Sequence, residues 1–96
     1  MKLKFTAPAA RDLRAISRFT DHRWSADQRK RYVGSLYERC RWLVENPFLG
    51  KPLPVFSPNH RGYPEGSHYI VYRVVEDRLE IIRVLHQRMD IDSMVD

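Results

Sequence analysis

Ninety-six residues, 43 % of them hydrophobic and 11 % aromatic, with a single cysteine, specify a folded chain that closes no internal disulfide and suits a reducing compartment. A chain of this length buries roughly 60–65 % of its unfolded surface, enough for one core spanning residues 1–96 as one domain but too little for a deep enclosed pocket, so function is expected on an open cleft or a binding face. The formal charge is +5, with nine Lys/Arg against four Asp/Glu in residues 11–41 and five against seven in residues 60–96, a distribution that suits either an acidic partner or a solvated helix surface.

Lys2-Leu3-Lys4-Phe5 alternates polar and apolar and predicts a short strand. Thr6 is placed to cap a first helix over residues 7–23, and Pro8 falls in its first turn, where a missing N–H is harmless. Ala9, Leu13, Ile16 and Phe19/Thr20 recur at helical spacing as one apolar stripe, with Arg11, Arg14 and Arg18 on the other side. Ser25-Ala26-Asp27-Gln28 fits a capping box that starts a second helix, and Asp27 complements the positive helix end. Tyr32/Val33, Leu36, Cys40 and Leu43/Val44 form its buried stripe, and Asn46-Pro47 stops it. Cys40 in that stripe reads as a buried, inert thiol.

Residues 47–60 hold four of the six prolines, a density that predicts no regular element. Phe48, Leu49, Leu53, Val55 and Phe56 make the segment too apolar for a free linker, so an ordered loop is expected along one edge. A proline-rich recognition ligand is the alternative. Arg61 to Pro64 reads as a short strand limited by its proline, followed by a turn at Glu65-Gly66. His68 to Val75 predicts a strand with His68, Ile70, Tyr72 and Val74 on one face and Tyr69, Val71, Arg73 and Val75 on the other. After a tight turn at Glu76-Asp77, Arg78 to His86 predicts the last long strand. Glu80, Ile82, Val84 and His86 are expected on one face, with Leu79, Ile81, Arg83 and Leu85 on the other. Asp90 to Asp96 reads as a short acidic tail with one helical turn.

The order β-α-α-β-β-β predicts an α+β fold, an antiparallel helical hairpin on one face of a small, mostly antiparallel sheet, with the first strand parallel to one of the others. No apolar run approaches the ~18 residues a membrane span requires, and nothing resembles a signal peptide, so a cytoplasmic protein is expected. His22, His60, His68 and His86 stand at no metal-ligand spacing, so no metal and no cofactor is expected. The acid–base candidate is His86 with Arg61, Arg73, Arg83 and Arg88, a set that resembles the base-plus-cations arrangement of a small ribonuclease. A packed, hydrogen-bonded His86 is the structural alternative, and an Arg83 among apolar neighbours is expected to pair with an acid or line a cleft.

The early FTxxAxxDL-like segment Phe5-Thr6-Ala7-Pro8-Ala9-Ala10-Arg11-Asp12-Leu13, the strand GSHYIVYRV and the ending Arg83-Val84-Leu85-His86-Gln87-Arg88-Met89-Asp90 resemble ParE toxins of the RelE/ParE superfamily of type II toxin–antitoxin systems, over essentially the whole chain. The resemblance implies neutralisation by a ParD-like antitoxin whose C-terminal segment folds onto the toxin. Candidate contacts for it are Leu13, Arg14, Ile16 and Arg18 on the first helix and Tyr69, Val71 and Arg73 on the sheet. It also implies DNA gyrase as the target, bound rather than chemically altered, with Arg83, Gln87 and Arg88 as candidate contacts and DNA reached only through the antitoxin. The RelE branch instead cleaves messenger RNA on the ribosome with a late tyrosine. Here Gln87 follows His86, and no tyrosine follows Tyr72, although His86, Arg61, Arg83 and Arg88 keep an RNase reading open.

Overall fold

In the computed structural model, residues 1–19 and 24–87 are described. The chain runs β1 (Lys2–Phe5), α1 (Ala7–Phe19), α2 (Ala26–Glu45), β2 (Lys51–Pro52), β3 (His60–Glu65), β4 (His68–Val75) and β5 (Arg78–His86). The expected last turn of the first helix, over residues 20–23, and the acidic tail lie outside the described residues.

Local chemistry sets the helix starts. The Thr6 hydroxyl accepts the Ala9 N–H at 3.1 Å. At α2 the Ser25 hydroxyl accepts the Gln28 N–H at 3.1 Å while the Gln28 side-chain oxygen accepts the Ser25 N–H at 2.9 Å, the reciprocal pair expected of a capping box. Asn46 closes α2, its backbone N–H bonding the Leu43 carbonyl at 3.1 Å.

The strands form one sheet in the order β1-β5-β4-β3-β2. β1 is parallel to β5, with Leu3 beside Leu79 and Phe5 beside Ile81. The other neighbours are antiparallel. Both helices contact β5, and α2 also reaches β1 and β3. The core gathers Ala9, Leu13 and Ile16 of α1, Leu36, Cys40 and Leu43 of α2, and Ile70, Tyr72, Leu79, Ile81 and Val84 of the central hairpin.

Three expectations need correction. Lys51 and Pro52 pair with Gly62 and Arg61, adding a strand to the segment expected to hold no regular element. Two residues give no period to detect, and an edge strand tolerates the missing N–H of Pro52. The turn between β3 and β4 falls on Gly66 and Ser67 rather than Glu65-Gly66. Gly66 has φ +57°, and a Cβ there would press on the Tyr32 ring, so glycine is needed on both counts. The third correction concerns β5, whose regular alternation fails. Val71 pairs with Arg83 but Tyr72 pairs with Ile81, leaving Ile82 as the extra residue of a β-bulge. Leu79 and Ile81 therefore share the helix-covered face with Val84 and His86, rather than lying opposite them. Glu80 pairs with Arg73 on the other face.

Candidate functional site

The bulge and the register bring His86 directly across from His68 at the end of the β4–β5 hairpin. Their rings meet edge to face with centroids 5.2 Å apart. Tyr32 of α2 lies against His68, its hydroxyl 2.6 Å from Nδ1, and Trp24 packs on the Tyr32 ring at 5.3 Å. The Tyr32 hydroxyl accepts the Ser67 N–H at 2.9 Å. The hydroxyl also lies 3.5 Å from the Glu65 carbonyl, so Tyr32 joins α2 to both His68 and the β3–β4 turn. Burial pushes the His68 pKa down, reinforced by neighbouring His86 and opposed by Asp12. Burial also raises the Tyr32 phenol. Both groups are thus held in their uncharged forms at neutral pH.

Gln87 closes this end of the hairpin. Its side-chain amide donates to the Gly66 and His68 carbonyls at 2.8 and 3.2 Å, and its backbone N–H donates to the Ser67 carbonyl at 2.8 Å. On the other side of β5, Arg83 makes a forked ion pair with Asp12 of α1, at 2.8 and 3.1 Å. This bond raises the Arg83 pKa. Asp12 also accepts the Val84 N–H at 2.9 Å, and the Thr6 hydroxyl donates to the Ile82 carbonyl at 2.8 Å. β1 ends beside Ile81, so these side chains satisfy the β5 edge that lies beyond it. A shallow cleft of about 170 Å³ runs between α1 and β5, lined by Asp12, Ile16, His68, Arg83 and His86.

The ribonuclease set is only partly assembled. His86 and Arg83 line one cleft, but Arg61 pairs with Tyr72, four residues along β4 from the His68–His86 pair, a separation of roughly 13 Å. The Arg61 guanidinium donates to the Gly50 and Phe48 carbonyls at 2.9 and 3.4 Å. Arg73 is paired with Glu80 at 2.8 Å. Arg88 lies outside the described residues. Sequence reasoning missed His68 as the partner of His86 and Tyr32 as the partner of His68. A regular register from the turn at Glu76-Asp77 puts Leu85 opposite His68; only the bulge at Ile82 moves His86 into that place, so alternation in the sequence carried no signal for the pair.

The candidate antitoxin contacts fall on two faces. Leu13 and Ile16 point into the core beneath α1, and Val71 is fully buried, so none of the three offers much surface. Arg14 and Arg18 are exposed on α1, while Tyr69 and Arg73 are half-buried on the sheet face away from the helices. Among the described residues, no three His, Cys, Asp or Glu converge as a metal would require. Burial raises the Cys40 thiol to about 12, so it stays protonated and unreactive. No helix among the described residues is long and apolar enough to cross a membrane.

Residues 3–91 match the family described as the ParE toxin of the type II toxin–antitoxin system parDE. Toxin ParE1 of Mycobacterium tuberculosis is 38 % identical over 88 residues, covering 90 % of each chain. Toxin ParE of Escherichia coli is 36 % identical over 90 residues, covering 90 % of this chain and 84 % of that one. Among solved structures, a chain of the chromosomal ParDE system of P. aeruginosa superposes with a TM-score of 0.77 at 27 % identity, over 90 % of this chain and 95 % of the other. With the two-helix, five-strand architecture and its parallel β1–β5 closure already in place, this chain belongs to the ParE toxin family of type II toxin–antitoxin systems.

Proposed function

We propose that the chain acts by binding: a ParD-like antitoxin neutralises it, and when free it inhibits DNA gyrase and so blocks replication, without chemistry of its own. Membership of the ParE family supports the toxin role. The observation that favours binding over catalysis is the engagement of the polar groups that would serve a ribonuclease. Arg83 is held by Asp12, Arg61 by loop carbonyls, and Arg73 by Glu80. A cation committed to a carboxylate or a carbonyl has fewer donors for a phosphate. The exposed arginines of α1 suit the acidic segment of an antitoxin. The test is a supercoiling assay with the purified chain and the host's own gyrase. Inhibition relieved by the antitoxin supports the reading, and normal supercoiling at saturating toxin rejects it.

Ribosome-dependent cleavage of messenger RNA is the second reading. It is favoured by the His68–His86 pair, a neutral imidazole beside a second histidine in an open cleft. That reading requires His86→Ala to abolish toxicity while the protein keeps its melting temperature.

A further inference from the structure

Among the described residues, the large exposed apolar side chains besides Met1 and Tyr37 are Phe48, Leu49 and Val55, at 67 %, 60 % and 39 % exposure. All three sit in the proline-rich segment between α2 and β3. The backbone beneath them is pinned. The Tyr72 hydroxyl donates to the Pro47 carbonyl at 2.8 Å and accepts the Gly50 N–H at 2.9 Å. Arg61 holds the Gly50 carbonyl, and the Leu53 N–H bonds the His60 carbonyl at 2.8 Å. A Cβ on Gly50 would collide with the Tyr72 ring and hydroxyl, so the loop approaches the core as closely as glycine permits. Behind Phe48 lies a cleft of about 160 Å³ lined by Pro52, Pro58, His60, Arg61 and Val74.

An apolar pair on a braced, proline-stiffened backbone costs little ordering on association, which is the character of a docking epitope rather than of a loose linker. Residues 46–64, between Glu45 and Glu65, contain Lys51 and Arg61 and no Asp or Glu, so the loop itself combines an apolar centre with a net positive charge. That pattern fits a protein segment with an apolar side chain flanked by carboxylates. Nucleic acid fits less well, because two cations are few for a phosphate backbone and the exposed centre of the loop is aliphatic and aromatic. The segment carries β2, the sheet edge opposite β1, while α1 packs on β5. A partner here leaves the arginine face of α1 open.

Resting on the functional reading above, we infer that the Phe48–Leu49 loop is the contact for the toxin's target, which inserts an acid-flanked apolar side chain into the cleft behind Phe48. Both side chains project from the surface, so Leu49→Asp and Phe48→Ala are expected to fold, and their melting curves check this. Growth arrest on expression, inhibition of purified gyrase and antitoxin binding are measured for wild type and both variants. The expected result is at least a tenfold loss of potency in growth arrest, and of gyrase inhibition, with antitoxin affinity within twofold of wild type. Full potency in both variants overturns the inference, as does a loss of antitoxin binding, which would make the loop part of the neutralising interface. Loss of a DNA-binding or self-association activity, in place of potency, likewise overturns it by assigning the patch to nucleic acid or to a second copy. A wild type that arrests growth but leaves gyrase untouched rejects gyrase alone, and the growth assay still decides the loop. A wild type inert in both assays removes the functional reading and the inference together.

Discussion

Asp12 accepts three hydrogen bonds, two from the Arg83 guanidinium and one from the Val84 N–H, and so ties α1 to the β5 edge that β1 leaves uncovered. Replacing it with Ala strands a half-buried guanidinium and an edge N–H. The expected loss is roughly 2 kcal/mol, below the figure for a fully buried pair because Arg83 keeps about a third of its surface in water; urea denaturation measures it. His68 and His60 set a pH dependence of definite sign. Burial lowers both from an ordinary 6.5, with His86 adding to the effect on His68 and Arg73 to that on His60. The unfolded chain therefore binds protons first as pH falls, and the stability these residues provide is complete above about 6.5 and lost as pH drops from there toward their folded values. Glu80 acts in a lower window. Hydrogen bonds from Arg73 and Arg78 hold it below its usual 4.5, so its contribution is present above that value and lost as pH falls through the folded pKa. Melting temperatures between pH 7 and 5 should fall for wild type and fall less for His68→Gln, whose Tyr32 contact no longer titrates.

The segment after α2 is shaped by an element far from it in sequence. Tyr72, at the centre of β4, carries two of the bonds that fix residues 47–50. Tyr72→Phe keeps the ring in the core and removes only the hydroxyl. It should cost about 1–3 kcal/mol, the range for leaving buried backbone groups unpaired, and amide exchange should speed up at Gly50 before it does in β4. The elements that depend on local pattern were legible in the sequence, including the Ser25–Gln28 capping box, the stop at Asn46-Pro47 and both long strands with their turn at Glu76-Asp77. What was not legible depended on tertiary register. Ile82 is as apolar as its neighbours, so alternation alone gave no sign that it is the bulged residue, and the faces of β5 were assigned as if the strand were regular. β2 contains one proline and one lysine and exists only because Gly62 and Arg61 lie alongside. The site was legible as a set of residue types but not as an arrangement. His86 stood out, whereas His68, Tyr32 and Asp12 became its surroundings only once the strands were paired.

Across the whole molecule, the exposed arginines of α1 lie over β5 while the braced apolar loop lies at the β2 edge of the sheet. Charge reversal of the exposed Arg11 and Arg14 together should weaken binding of a ParD-like antitoxin at least tenfold at 50 mM salt. At 500 mM the difference should shrink, since screening acts on surface charge within about a Debye length; calorimetry at the two salt concentrations measures both. The pairing of β1 with β5 carries a consequence for biogenesis. Lys2 to Phe5 find their neighbours at residues 78–81, and Thr6 bonds the Ile82 carbonyl across 76 positions. During synthesis the first strand must wait for the last to leave the ribosome, a strongly non-local closure of the kind that slows folding. A nascent chain that stops before residue 78 has no partner strand for Lys2–Phe5, so the sheet closes only once β5 has been made.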